Sequence, residues 1–123
     1  MTREDYLENL VADIETYWFD NNEKKYYEGL DPDDIYEELN DDLFVSDSVT
    51  GYASGSYTFN TWKARENVID ALDVLGEACE AFDCVDELGR KFVNGEWEWM
   101  DVTIRCYLLG EAISMFMQKH NLN

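Results

Sequence analysis

Positive charge is what this chain has least of. Nine Lys and Arg stand against 28 Asp and Glu, a formal net charge of −19 over 123 residues. Proteins that grip nucleic acid or an anionic membrane do so with basic patches, so neither is expected as a direct partner. Histidine is nearly missing: His120 is the only one. A Ser–His or Cys–His nucleophile would need that ring within hydrogen-bond reach. Carboxylates are so abundant that their number says nothing about acid–base work. The expectation is a protein that is not an enzyme.

Long apolar runs are missing too. None reaches the ~18–20 residues needed to span a bilayer. The opening "MTREDYLENL" is polar and periodic, unlike a signal peptide or a transmembrane start. Proline occurs once and cysteine three times. An odd, small number of thiols suits a reducing compartment, so a cytoplasmic location is expected.

Cys79, Cys84, Cys106 and His120 have the count of a Cys3His zinc site. However, Cys106 and His120 lie 14 residues apart on one expected helix, a rise of ~21 Å. Ligands of one zinc sit within a few ångströms of each other. Cys79 and Cys106 instead read as small core residues. Calcium fails on register. Counted from Asp31, an EF-hand loop would put Tyr36 where Gly is required and Asp42 where Glu is required. The pair Gly51 and Gly55 has no Lys to make a phosphate loop. No metal or cofactor is expected.

What the chain does contain is apolar and aromatic weight, 46% and 15% of residues. That is enough for a core at this length and too much for a charge-disordered chain. A mainly α, single-domain fold over residues 1–123 is expected. Thr2 followed by Asp5 is close to a capping box. Tyr6, Leu7, Leu10, Val11, Ile14, Tyr17 and Trp18 then recur at helical spacing. "DNNEKKYYEGL" reads as a loop. Asp31-Pro32 starts a second helix, with Ile35, Leu39 and Leu43 as a narrow apolar edge.

The segment "VTGYASGSYTFN" (Val49–Asn60) is uncharged. Its β-favouring residues and two glycines suggest a minor hairpin or a single strand near residues 45–59. Two roles are open to it. Tyr57, Phe59 and Trp62 could anchor the next helix, or Tyr52 could reach a partner from a neutral loop.

A third helix is expected to carry Val68, Leu72, Leu75, Cys79 and Phe82 as one seam. "CVDELGRKFVNGEWEW" reads as a connector holding a short helix or strand. A last helix, apolar nearly all round and therefore central, is expected from Met100 to about His120. Arg105 is expected to reach an acid or the helix edge.

Acid gathers in two places. From Glu28 to Asp47 there are nine acids and no Lys or Arg. Asp31, Asp33, Asp34, Glu37, Glu38, Asp41 and Asp42 form the first candidate contact surface. Glu66, Asp70, Asp73, Glu77 and Glu80 repeat the apolar seam two residues earlier, so a continuous helix would place them opposite it. They form the second. A merely solvated helix face mixes signs, because Glu–Lys pairs four apart are favourable. Here like charges sit at those spacings. A carboxylate row can occupy a channel built for phosphates.

"VTGYASGSYTFNTWKARENV" (Val49–Val68) and "DVTIRCYLLGEAI" (Asp101–Ile113) resemble segments of small acidic proteins carried by phages and conjugative elements of Gram-positive bacteria. Some small acidic proteins of such elements are anti-CRISPR or antirestriction proteins, and several are DNA mimics. The resemblance implies counter-defence in a bacterial host cell. The expected partner is then a basic host protein, foremost Cas9 or another nuclease, held through its nucleic-acid channel. The alternative is an antitoxin or regulatory adaptor that binds one basic protein by shape. A small enzyme or metal protein is a third class, and would carry zinc on purification.

Overall fold

A computed structural model describes residues 2–20, 24–45 and 64–123, and these are helical throughout their regular parts. The elements are α1 (Arg3–Asp20), α2 (Lys24–Tyr27), α3 (Pro32–Val45), α4 (Ala64–Asn67), α5 (Ala71–Ala81), α6 (Val85–Val93) and α7 (Trp97–Lys119). There is no strand among the described residues. The hairpin expected over residues 45–59 lies outside them, except that Val45 is the last residue of α3. Tyr52, Tyr57, Phe59 and Trp62 lie outside them as well.

α7 is the axis of the fold. At 23 residues it is ~35 Å long, and α1, α3, α4, α5 and α6 all pack on it, α1 most extensively. Its apolar residues leave no polar stripe. Met100, Ile104, Leu108, Leu109, Ala112, Ile113, Phe116 and Met117 are all buried, as a helix apolar all round requires. Arg105 lies inside the core, close enough to Tyr6 and Cys106 to act on both electrostatically. α7 begins one turn earlier than Met100. Gly95, at φ 66, makes the left-handed turn that lets the chain re-enter a helix there.

α1 starts where its cap predicts. The Thr2 hydroxyl accepts the Asp5 N–H at 3.1 Å. Tyr6, Leu7, Leu10, Val11, Ile14 and Trp18 are buried against α7. α3 starts in the same way, with the Asp31 carboxylate accepting the Asp34 N–H at 3.0 Å. Ile35, Leu39 and Leu43 are buried one turn apart. From Asp33 to Asp42 the rest of α3's circumference is polar apart from Tyr36.

Two stretches differ from the sequence reading. The loop expected after α1 contains the short helix α2. Tyr27 is buried there, stacks on Trp18 with centroids 4.9 Å apart, and donates its hydroxyl to Asp42 at 2.8 Å. One turn of helix cannot sustain itself; these tertiary contacts hold it.

The expected third helix is broken. α4 ends at Asn67, and Asp70 takes a left-handed φ of 59 before α5 begins. The break resets the helical phase. Ala71, Val74, Leu75, Ala78 and Cys79 face the core, while Leu72 and Phe82, expected in the seam, are 53% and 50% exposed. α4 is tied to α7 independently of α5. The Arg65 N–H donates to the Asp101 carboxylate at 2.8 Å, and the Arg65 guanidinium lies 4.6 Å from the Trp97 ring centroid.

α5 closes in a Schellman turn. The Cys84 N–H reaches the Cys79 carbonyl and the Asp83 N–H reaches the Glu80 carbonyl. Asp83 occupies the left-handed position usually given to Gly, at φ 56. The turn brings the Cys79 and Cys84 thiols into hydrogen-bond contact, and burial with that bond pushes Cys79 up to about 11. Such a thiol stays protonated and inert. The sequence "CVDELGRKFV" then forms α6, whose Lys91 bonds Glu96 at 3.1 Å.

Candidate interaction surface

α3 buries one narrow edge, so its acids are forced onto the remaining face. Asp33, Glu37 and Asp41 follow one another at four-residue spacing, and so do Asp34, Glu38 and Asp42. Two adjacent files result, each advancing ~6 Å per carboxylate. All six are exposed except Glu38, which is half-buried. Asp31 stands at the head of both files and also caps the helix.

The first-turn acids Asp33 and Asp34 complement the positive end of the helix dipole. Asp41 and Asp42 sit in the last two turns, where that dipole disfavours them, and no basic residue is present in the last turn. Each file contains two like-charge contacts four apart, so α3 gives up about 1–2 kcal/mol in side-chain repulsion. Helix stability therefore does not explain the pattern.

The cations of the fold go elsewhere. Arg3 on α1 bonds Glu77 on α5 at 2.5 Å and also Glu111 on α7, clamping three helices together. Lys119 and His120 both reach Glu15, at 3.1 and 2.9 Å. Burial alone would push the Glu15 carboxyl up, but these two bonds outweigh it and hold it below its ordinary value. Lys91 pairs with Glu96, and Arg65 lies 3.7 Å from Glu66. Among the described residues, no Lys or Arg pairs with any α3 carboxylate. On this face the Tyr27 hydroxyl bonds Asp42.

The second acid array does not survive as a row. The break at Asp70 separates Glu66 on α4 from Asp73, Glu77 and Glu80 on α5. Glu66 lies beside Arg65, and Glu77 is engaged by Arg3. Asp73 and Glu80 remain exposed. The sequence spacing was uniform; the backbone phase was not.

Sequence reasoning overlooked Gly110. It lies mid-way along α7, where Gly is disfavoured. A Cβ added there would come within 2.7 Å of the Tyr36 hydroxyl on α3. The missing side chain leaves room for the Tyr36 hydroxyl at this point of α7.

Among the described residues, no group of three or more His, Cys, Asp and Glu side chains could hold a metal ion. All three cysteines are free thiols. No helix among those residues is long and apolar enough to cross a membrane. No known protein family, curated protein or solved structure matches this chain.

Proposed function

We propose that this protein is an acidic inhibitor that occupies the basic nucleic-acid channel of a host defence nuclease, Cas9 foremost, as an anti-CRISPR-like DNA mimic acting in the bacterial cytoplasm. It works by binding and performs no chemistry. The observation that supports this reading is the two-file carboxylate face of α3, with which no Lys or Arg among the described residues pairs. A partner that supplies Lys and Arg would relieve the like-charge repulsion along α3, so binding and charge neutralisation reinforce each other. Asp33, Asp34, Glu37, Glu38, Asp41 and Asp42 are the main contact residues, with Asp31 beside them. Asp73 and Glu80 form a secondary patch. Glu66, Asp70 and Glu77 contribute less, and Tyr52 is a contact from the neutral segment.

The test is binding of the purified protein to a Cas9–guide complex with target DNA as competitor, at low and moderate salt. Mutually exclusive binding that weakens at least about tenfold with salt is expected. Reversing four α3 acids to Lys should abolish inhibition; inhibition that survives this change would refute the mimicry.

The alternative, an antitoxin or regulatory adaptor that holds one basic protein by shape, is favoured by a different observation. An apolar groove runs beside α3, and a contact built on it would outlast the salt that removes electrostatic steering.

A further inference from the structure

The groove lies between α3, the C-terminal end of α5, and α7, with a volume of about 490 Å³. Its floor is one stripe of α7: Tyr107, Gly110, Ser114 and their neighbours, over roughly two turns. Gly110 and Ser114 carry little or no side chain, so the floor is low in the middle. Tyr36 and Asn40 of α3 form one wall, and Ala81 at the end of α5 with its C-cap Phe82 forms the other. Phe82 and Met115, at the rims, are 50% and 40% exposed. Phe82 packs edge-on against Tyr107, with centroids 6.1 Å apart, and Tyr107 in turn lies under the Arg3 guanidinium. Phe82 is therefore linked through Tyr107 to the clamp that joins α1, α5 and α7.

Both shoulders of this groove are acidic. On α3, Asp33, Glu37 and Asp41 are the file next to Tyr36 and Asn40 on the helix surface. On the other side, Glu80 and Asp83 flank Ala81 and Phe82 in the chain, and both are exposed. Arg3 lies over the Tyr107 ring, but Glu77 and Glu111 already hold it, and Glu111 itself lines the groove. A concave, mostly apolar strip two turns long, bordered on each side by carboxylates with which no cation among the described residues pairs, is the complement of one object. That object is a helix with apolar anchors at i, i+3/i+4 and i+7 and cations on either flank of them. A polyanion would be repelled from it, and a purely polar cationic strand would leave the strip unfilled.

We propose that the groove is a docking site for a basic amphipathic helix of the partner protein, its apolar side chains seated over Gly110 and Ser114 and its Lys or Arg side chains on the acids of α3. The proposal rests on the reading of α3 as the contact face, and adds to it the part of the surface that distinguishes one basic partner from another. Charge sets the approach; the groove sets the register.

Two synthetic peptides of equal length and equal Lys content test this. One has Leu at i, i+3, i+4 and i+7; in the other each Leu is replaced by Gln. Binding is read by fluorescence anisotropy. The wild type should prefer the Leu peptide by at least about tenfold. Ser114→Trp fills the floor from an exposed position. It should bring that preference close to one while leaving the thermal midpoint unchanged. Met115→Glu at the rim should reduce the preference in the same direction and serves as the second variant if Ser114→Trp unfolds. The triple change Asp33→Lys, Glu37→Lys, Asp41→Lys should weaken both peptides. Equal binding of the two peptides by the wild type, or a preference untouched by both groove variants, overturns the docking site and leaves the acidic contact face standing. Failure of both peptides to bind even at low salt overturns the two together.

Discussion

Asp13 offers a measurement of what the acidic composition does to the fold itself. It sits on the partly buried side of α1, and its Oδ2 is enclosed without a hydrogen-bond partner. Burial pushes its carboxyl from 3.8 up to about 6. The folded protein therefore holds this proton more tightly than the unfolded chain between about pH 4 and pH 6. Stability from this group is greatest below that window and falls as pH rises through it. A shift of about two units corresponds to roughly 3 kcal/mol. The carboxyl is only half-buried, so solvent screening reduces this to about 1–1.5 kcal/mol.

Asp13→Asn removes the charge and keeps the shape. At pH 7 it should raise the midpoint of thermal unfolding by roughly 4–6 °C. Below about pH 3 the variant and the wild type should converge, because Asp13 is then protonated in both states. Glu15 has the opposite sign, since its folded carboxyl lies below its ordinary value. Its stabilisation is present at neutral pH and lost as pH falls, but it is common to both proteins and cancels in the difference. The assay is circular dichroism melting across this pH range. An Asn variant that melts at or below the wild-type temperature at pH 7 would show that water reaches Asp13 and that the reasoning is wrong.

Asp83→Gly, at φ 56 in the Schellman turn, should stabilise by about 0.5–1 kcal/mol, because Gly adopts that conformation without a Cβ penalty; a lower melting temperature would mean the Asp side chain makes up the difference. Tyr27→Phe keeps the stack on Trp18 but removes the bond to Asp42. It should cost about 1–2 kcal/mol in urea unfolding, and a neutral result would mean that α2 is held by stacking alone.

How far the sequence could be read varies from element to element. α1 and α3 announce themselves through Thr2 and Asp31, which cap, and through apolar residues that return every three or four positions. Both signals are local, and local geometry satisfies them: a side-chain oxygen two or three residues from an N–H needs no tertiary structure to find it. α7 was legible as the central helix because no polar stripe interrupts it. α2 was not legible. Its helicity depends on Trp18 and Asp42, which are distant in sequence, and "DNNEKKYY" contains no sign of either. The uniform spacing from Glu66 to Glu80 and from Val68 to Phe82 pointed to one helix. Nothing in it reveals that Arg65 would be tied to Asp101 and Trp97, 36 and 32 positions away, or that Asp70 would turn left-handed between the two pieces.

By itself, then, the amino-acid sequence determined the net charge, the helical class, the two strongest helix starts and the acid of α3. These depend on composition and on contacts within a few residues. Only the tertiary structure decided which acids stay unneutralised. Arg3 reaches Glu77 and Glu111 across 74 and 108 positions, and Lys119 reaches Glu15 across 104, while among the described residues no Lys or Arg pairs with an α3 carboxylate. Electrostatic pairing acts through space, and the few cations of this chain are assigned to partners by how the helices pack.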